Sequence, residues 1–505
     1  MNRSALKASP ETLEVEAPLR RPSLAPASPP VTHALVLAAG RGSRLGGDRP
    51  KPTRTLLGVP LLARTLFTLE AAGVTDAYVV LGYGAGAIRD SIEAIERLNV
   101  RVHWLHNERW DRPNGWSVLT AESSLHQPFF LSMADHVFDA SAAERLLEGA
   151  QGLEGIDLLV DRDVERIDDV EEATKVRVQD GRIVDIGKSI TGYDAIDTGL
   201  FLATPALFQA LRESTALGGE TLSDGVQRLA EAGMARAIDG DGASWQDVDT
   251  PEDMVRAERK LLEQLRGRHD GPIARYLNRP ISTRISRRIA GTRITPNQVS
   301  VGALGVGLLS AAFAAVGGFG WWLVTGILVQ LASILDGVDG EIARLKFQGS
   351  LKGEWVDTIC DNVSYLVFLI GLTIGAYRTG APELFVWTGA AAIVASFLGL
   401  TNINLYLARE RSSGSARSVR YGYQDETKDV TLLTRIMRVM HYVGKRDMFS
   451  VVILLLAIFG QLTLLLPIVG VGATLVLVPT TTRAVVVAAW RRRRVAPVPA
   501  LREES

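Results

Sequence analysis

From Val31 to about Lys260, short apolar runs alternate with longer amphipathic stretches. His33-Ala-Leu-Val-Leu37, Ala77-Tyr-Val-Val-Leu81, Phe129-Phe-Leu-Ser-Met133 and Asp157-Leu-Leu-Val160 read as buried strands, and Leu61 to Ala72 reads as an intervening helix. The alternation predicts an α/β domain with a mainly parallel, Rossmann-like sheet wrapped by helices. Residues 1–30 mix Pro, Ser, Ala and charges without periodicity, and no apolar run follows the early Arg and Lys residues. The expectation there is a disordered cytosolic tail and not a secretory signal.

After about residue 300 the pattern changes to six apolar spans, near 297–316, 320–343, 355–377, 384–407, 448–467 and 469–490. Each approaches the roughly 20 residues a helix needs to cross a bilayer. The turns near Gly317-Gly318 and Gln461 carry no charge, and the one near 378 carries only Arg378 and Glu383. By contrast, 344–354 holds Arg344, Lys346 and Lys352, the 409–446 segment has nine Lys/Arg against four Asp/Glu, and the last span runs into Arg491–Arg494. The positive-inside rule predicts a multi-pass inner-membrane protein with both termini, the soluble domain and the basic loops in the cytoplasm. The Arg-rich stretch 275–293, with Ile281, Ile285 and Ile289 spaced along it, predicts an interfacial helix. The expected organisation is a tail (1–30), a soluble domain (31–265), an interfacial linker (266–295) and an all-α membrane domain of six helices (296–495).

Composition agrees with two unlike halves: mean hydropathy is +0.13, with 47% hydrophobic yet 22% charged residues. The 55 Lys+Arg against 56 Asp+Glu give a net charge of -1, which excludes a basic nucleic-acid binder and an acidic disordered chain. The single cysteine, Cys360, excludes a disulfide framework and a Cys-based zinc site, and reads as a small apolar helix residue.

Chemistry enters first at Leu37-Ala-Ala-Gly-Arg-Gly-Ser-Arg-Leu45, followed by Pro50-Lys51. Gly40 and Gly42 let backbone amides approach an anion, while Arg41, Arg44 and Lys51 add charge suited to a triphosphate. The segment lacks Gly-Lys-Ser/Thr and the Gly-x-Gly-x-x-Gly spacing, so it is neither a Walker loop nor a dinucleotide fingerprint. The string resembles the sugar-phosphate nucleotidyltransferases, Leu-Ala-Ala-Gly-x-Gly-x-Arg-Leu-x4-Pro-Lys, in every fixed position, and the resemblance extends over most of 31–260.

That resemblance implies nucleotide contacts at Leu37, Ala39, Gly40, Gly42 and Arg44, catalytic roles for Arg41 and Lys51, and base contact at Asn114-Gly115. It also implies a magnesium ligand at Asp135, a sugar-phosphate contact at Lys188 and an acceptor lining at Asp197-Thr-Gly199-Leu200. A second acidic site falls in Trp245-Gln-Asp-Val-Asp249, with Asp247 the first choice of ligand and Asp249 its close rival.

The second constellation is Asp336-Gly-Val-Asp-Gly-Glu-Ile-Ala-Arg344, then Gly353-Glu-Trp-Val-Asp-Thr-Ile-Cys-Asp361. Asp336 and Asp339 are three apart and Asp357 and Asp361 four apart, so each pair shares a helix face. Four carboxylates at membrane depth cost roughly 2.5–3.5 kcal/mol each at a helix centre. A divalent cation offsets that cost, and intramembrane acids are functional by default.

Asp-x2-Asp-Gly-x2-Ala-Arg-x8-Gly-x3-Asp-x3-Asp resembles the CDP-alcohol phosphotransferases at all eight fixed positions, and the resemblance covers about 270–495. It implies metal at Asp336, Asp339 and Asp357, with Asp361 as general base that also touches metal. It further implies a CDP cradle at Gly340, Ala343, Arg344 and Gly353. Thr295-Pro-Asn297 reads as a helix cap. Gly444-Lys445-Arg446-Asp447 reads either as a positive-inside flank or as a phosphate pocket for the acceptor.

The fused arrangement resembles the bifunctional cytidylyltransferases that also carry a CDP-inositol transferase. It implies CTP and a polyol phosphate (inositol 1-phosphate) as substrates, a CDP-alcohol intermediate, Mg2+ at both sites with Mn2+ as an alternative, and a homodimer formed through the membrane domain in the lipid bilayer. The rival expectations are a phospholipid synthase using CDP-diacylglycerol, or the same pair of reactions on another polyol phosphate.

Overall fold

The structure, a computed structural model, describes residues 31–46, 48–150, 152–167, 170–240, 242–266, 270–409 and 446–473. It divides into two compact units: Met1–Arg54 with Pro60–Ala257, and Thr55–Val59 with Glu258–Ser505.

The first unit is built on a nine-stranded sheet. From one edge its strands run Arg101–His106, Asp76–Leu81, His33–Ala38, Phe129–Met133, Ala195–Ala203, Ile156–Asp161, Ala235–Asp239, Arg182–Gly187 and Lys175–Gln179. The first four are parallel, and their centre is the run Ala34–Val36, fully buried as an uninterrupted apolar strand covered on both faces must be.

Beyond them the expectation of a mainly parallel sheet needs correction, because the sheet is mixed. Ala195–Ala203 runs antiparallel to both its neighbours, and Lys175–Gln179 pairs with Arg182–Gly187 as a hairpin. The hairpin turns at Asp180-Gly181, both at positive φ, which is the two-residue chemistry that suits strand twist. Phe129, Leu131, Leu158, Val160 and Phe201 form the heart of the core.

Two pairings position the site. Leu37 lies beside Met133, so the loops after these parallel strands leave the same edge of the sheet, where α/β folds place ligands. A small antiparallel ladder pairs His136–Phe138 with Trp245–Asp247 and sets Asp247 opposite His136.

The second unit is helical. A π-turn at Ala274–Asn278 leads into the helix Arg279–Ala290, followed by four long helices: Pro296–Val316, Phe319–Leu345, Leu351–Arg378 and Glu383–Arg409. These four are long and apolar enough to cross a membrane. Thr295 caps the first in a capping box with Gln298, and Ser350 caps the third by accepting from the Gly353 amide.

The expected fifth span is shorter than 448–467. Its helix is Arg446–Ile458, and Gly460, at positive φ, breaks the chain before a second apolar helix over Leu462–Ala473. The rest of the sixth expected span, Lys445 and the basic 410–445 loop lie outside the described residues. Phe368, Leu369, Leu372, Ile453 and Leu466 pack the helices together.

The stretch expected to be interfacial forms the helix Arg279–Ala290, and the face it buries within this unit is polar or small. Asn278, Ser282, Ser286 and Ala290, four residues apart, face inward, while Ile281 is exposed and Ile285 and Ile289 are half-buried.

Candidate active sites

In the first unit, Leu37, Ala38, Gly40, Gly42, Arg44, Lys51, Pro52, Ala134, Asp135 and Asp249 line a cavity of about 300 Å³. Gly42 is obligatory there: it sits at φ +59°, and a β-carbon on it would lie 2.6 Å from Lys51 Cβ. Lys51 is buried. Its Nζ donates to Asp135 Oδ2 at 2.6 Å and to Asp249 Oδ1 at 2.5 Å, and stands 4.0 Å from Asp247 Oδ1. Arg44 pairs with Asp249 at 3.3 Å and also with Glu172. Arg41 lies with its guanidinium 5.5 Å from the Tyr83 ring centre.

A ligand set converges beside this cavity. Asp135, His136 and Asp247 offer atoms that all lie within 4.8 Å of one another. His136 Nδ1 is 2.9 Å from Asp135 Oδ1 and 3.8 Å from Asp247 Oδ1. Asp247 Oδ1 is enclosed and has no hydrogen-bond partner among the described residues. An enclosed carboxylate oxygen that makes no hydrogen bond and faces a second carboxylate fits a hard divalent cation, which takes oxygen ligands. Asp249, the rival ligand, is instead engaged by Lys51 and Arg44.

The charges follow from this crowding. Burial pulls the Lys51 ammonium down, but Asp135, Asp247 and Asp249 outweigh it and hold it above the ordinary lysine range. Burial likewise opposes a charged His136, yet Asp247 and Asp135 raise it to about 9. Burial raises Asp247 to about 6, with His136 opposing and Asp135 reinforcing. Burial also raises Asp197 to about 6, against the hydrogen bond it accepts from the Gly199 amide at 2.7 Å.

Gly199, at φ +78°, is a second obligatory glycine: a β-carbon there would stand 2.3 Å from the His136 ring. Gly115 is buried with its amide donating to the Glu220 carbonyl, and Asn114 accepts from the Leu222 amide. Lys188 is exposed, and the contact the structure gives it is through its carbonyl, which accepts from Lys175.

In the second unit, Asp336, Asp339 and Asp357 offer atoms within 4.8 Å of one another. The long helices Phe319–Leu345 and Leu351–Arg378 supply them from facing sides. Asp339 is buried and accepts from Ser300 Oγ at 2.5 Å. Arg446 Nη1 lies 2.6 Å from Asp336 Oδ1 and also pairs with Asp361. Three carboxylates offering only oxygen suit a divalent ion. A β-carbon on Gly340 would meet Arg344 only at 3.8 Å, an ordinary contact, whereas one on Gly353 would press within 3.1–3.3 Å of Ser350 and Asn297. Ala343 is half-buried and Arg344 exposed on the same turn. Asp361 and Arg446 line a cavity of about 370 Å³ together with Ser310, Ser333, Asn362 and Ser450.

Comparison with known proteins agrees with both halves. Residues 34–232 match the MobA-like NTP transferase domain, and 293–478 match CDP-alcohol phosphatidyltransferase. A bifunctional IPC transferase and DIPP synthase of Rubrobacter xylanophilus is 40% identical over 68% of this chain and 77% of its own length. The Aquifex aeolicus relative of the same name is 30% identical over 87% of this chain and 95% of its own. This chain belongs to the bifunctional IPC transferase and DIPP synthase family.

Among solved structures, the inositol-1-phosphate CTP transferase from T. maritima is similar at 31% identity over 46% of this chain and 96% of its own, with a TM-score of 0.41. As a bifunctional IPC transferase and DIPP synthase family member, the chain joins a nucleotidyltransferase domain to a CDP-alcohol phosphotransferase domain.

Reasoning from sequence alone passes over three residues of these sites. His136 stands in Met133-Ala-Asp-His136 beside the expected ligand, and its placement opposite Asp247 depends on a strand pairing with a residue 111 positions away in sequence. Ser300, the partner of Asp339, and Glu172, the partner of Arg44, carry no local pattern that marks them.

Proposed function

We propose that the first unit condenses CTP with inositol 1-phosphate and that the second transfers the phosphoinositol group of the resulting CDP-inositol to another inositol 1-phosphate. The observation that carries this reading is the convergence, in one chain, of two separate acidic clusters, each beside a cavity carrying cationic side chains.

In the first reaction Arg41, Arg44, Lys51 and the amides of the Gly40–Gly42 loop hold the triphosphate. Lys188 and the Asp197–Leu200 segment hold the sugar phosphate, whose oxygen attacks the α-phosphorus as pyrophosphate leaves. Asp135 and Asp247, with His136 adjacent, would hold Mg2+, and Asp249 serves mainly to position Lys51 and Arg44. Bound Mg2+ supplies neutralisation of charge gathering on the phosphates.

In the second reaction Asp336, Asp339 and Asp357 would hold the divalent ions, and Gly340, Ala343, Arg344 and Gly353 admit the CDP group. Asp361 takes the proton of the acceptor hydroxyl. The new oxyanion attacks the β-phosphorus, and CMP leaves. Arg446, together with Lys445, binds the acceptor's phosphate. Tethering the two sites raises the local concentration of the intermediate.

The reading includes six membrane spans with both termini in the cytoplasm of the inner membrane, and a homodimer formed through the membrane domain. It is tested by incubating purified protein with CTP and a panel of polyol phosphates and identifying the nucleotide product and the final phosphodiester. A CDP-inositol intermediate and a water-soluble product support it. A lipid product made only with CDP-diacylglycerol would overturn it.

A further inference from the structure

The catalytic helix Phe319–Leu345 carries Asp336 and Asp339 on one side and an unusual polar seam on the other. Glu341, two residues past Asp339, has no solvent exposure. Its Oε1 accepts from Arg279 Nη1 at 2.8 Å and from Ser282 Oγ at 2.6 Å, and its Oε2 accepts from Ser286 Oγ at 2.6 Å. Arg279 is held in turn by Asp270 at 2.9 Å. All of these donors come from the helix Arg279–Ala290.

Four more hydrogen bonds hold the same helix, two toward its start and two just past its end. Toward the helix start, Gln330 donates to Asn278 at 2.7 Å, and Asn278 to Ser333 at 3.4 Å. Toward its end, buried Lys346 donates to the carbonyls of Thr292 and Ile294 at 2.7 and 2.9 Å. Gln330, Glu341 and Lys346 therefore pin the catalytic helix over about 24 Å at 1.5 Å per residue.

An apolar interface would hold two helices together more cheaply, because a buried carboxylate must recover a large desolvation cost through hydrogen bonds. What the polar seam adds is a fixed geometry. Ser, Arg and carboxylate groups bond in defined directions, whereas Leu or Val would tolerate rotation and slippage. At about 100° per residue, Asp336 and Asp339 lie on roughly the opposite side of the helix from Glu341. Rotation about the helix axis would carry both aspartates away from Asp357, which stands on the next helix.

We propose that Glu341 is a positioning residue for phosphotransfer: bound by Arg279, Ser282 and Ser286, it sets the rotation of the catalytic helix and so the geometry of Asp336 and Asp339 against Asp357. This inference rests on the reading of those aspartates as metal ligands. It assigns Glu341 no contact with substrate.

The test uses the full-length protein in detergent, with Mn2+ as the probe ion. Glu341→Gln keeps the shape but loses the charge and one acceptor oxygen. Ser286→Ala removes a single hydrogen bond and serves if the first variant fails to fold. Groups that orient a ligand set are worth 10- to 100-fold in metal affinity or activity. The Mn2+ activation constant for CMP release should therefore rise about tenfold or more in Glu341→Gln, and by a smaller factor in Ser286→Ala. Formation of CDP-alcohol from CTP should stay at the parental rate.

Loss of thermal stability with an unchanged Mn2+ constant in both variants would overturn the proposal, since a merely structural contact behaves that way. Asp339→Asn separates this failure from failure of the underlying reading. If Asp339→Asn transfers at the parental rate, the aspartate reading falls and the positioning role with it. If Asp339→Asn is inactive while both Glu341→Gln and Ser286→Ala keep the parental constant, the positioning role alone falls.

Discussion

Replacing Lys51 by methionine should destabilise the first unit and impair only the first reaction. Methionine keeps the unbranched stem that fills the site, but the three carboxylates lose their counter-charge. Only 6% of the Lys51 side chain is exposed, and its Nζ sits at 2.6 Å from Asp135 and 2.5 Å from Asp249. Removing one partner of a buried ion pair costs about 3–5 kcal/mol. At roughly 2–4 °C per kcal/mol for a unit of this size, the transition should fall by about 6–20 °C in EDTA. Because the lysine is raised above its ordinary 10.5, its charge is fully present below that value, so the gap between parent and variant should hold steady from neutral pH to about pH 8, below the range in which His136 loses its proton. Added Mg2+ should close part of the gap by neutralising the same carboxylates. Loss of a charge-assisted hydrogen bond to the triphosphate, about 1.5–3 kcal/mol, should slow CDP-alcohol formation about 10- to 150-fold. Calorimetry with and without Mg2+ gives the first quantity, and pyrophosphate release from CTP gives the second. CMP release from supplied CDP-alcohol is the internal control. A variant that melts with the parent in EDTA would refute the claim that Lys51 neutralises this cluster.

Four further outcomes are expected. Asp135→Ala should abolish CDP-alcohol formation while leaving CMP release from supplied CDP-alcohol nearly intact; equal loss of both in a folded variant would contradict the division of labour. Asp361→Asn should slow transfer by about two to four powers of ten while the intermediate accumulates, and a parental rate of phosphodiester formation would remove it as the base. Asp197 is raised from 3.8 to about 6, so the folded state holds its proton more tightly and its stabilising effect is lost as pH rises through 6. Asp197→Asn, which keeps the acceptor for Gly199, should therefore gain on the parent as pH rises from about 3.5 to 6.5 and hold that gain above, by at most about 3 kcal/mol, and melting curves showing no such gain would discount the shift. A reporter inserted near Gly380 should read external and one after Arg494 cytoplasmic; a cytoplasmic result at Gly380 would overturn the topology.

How much of this was legible in the sequence depends on whether the signal was local. The loop Leu37–Leu45 with Pro50-Lys51 and the aspartates at 336, 339, 357 and 361 are legible because spacing along one strand-to-loop turn or one helix face fixes where side chains can meet. The structure brings Lys51, Asp135, Asp247 and Asp249 together, and likewise Asp336, Asp339 and Asp357. Mixed sheet order was not legible from apolar periodicity, which is the same for a strand running either way. Its one local clue was Asp180-Gly181, a two-residue turn that forces antiparallel neighbours.

The least legible features are those in which a residue type departs from what its surroundings favour. Along 281–289 the isoleucines are the residues expected to meet an apolar surface, and the face packed within the protein is a different one. Serines occupy it, since the surface opposite them is the Glu341 carboxylate, and a buried charge takes hydroxyl donors over methyl groups. Glu341 itself occupies a position that the motif spanning Asp336–Arg344 leaves unspecified, where spacing rules are silent. A carboxylate at such a position, buried on a largely apolar helix, is informative for the same reason as the four aspartates: burying it is costly unless a partner is present. Spacing alone distinguishes the two cases only in part, because a bound ion and a neighbouring arginine both satisfy a carboxylate. The arginine at 279, 62 residues upstream, becomes visible as that partner only once the helices are packed.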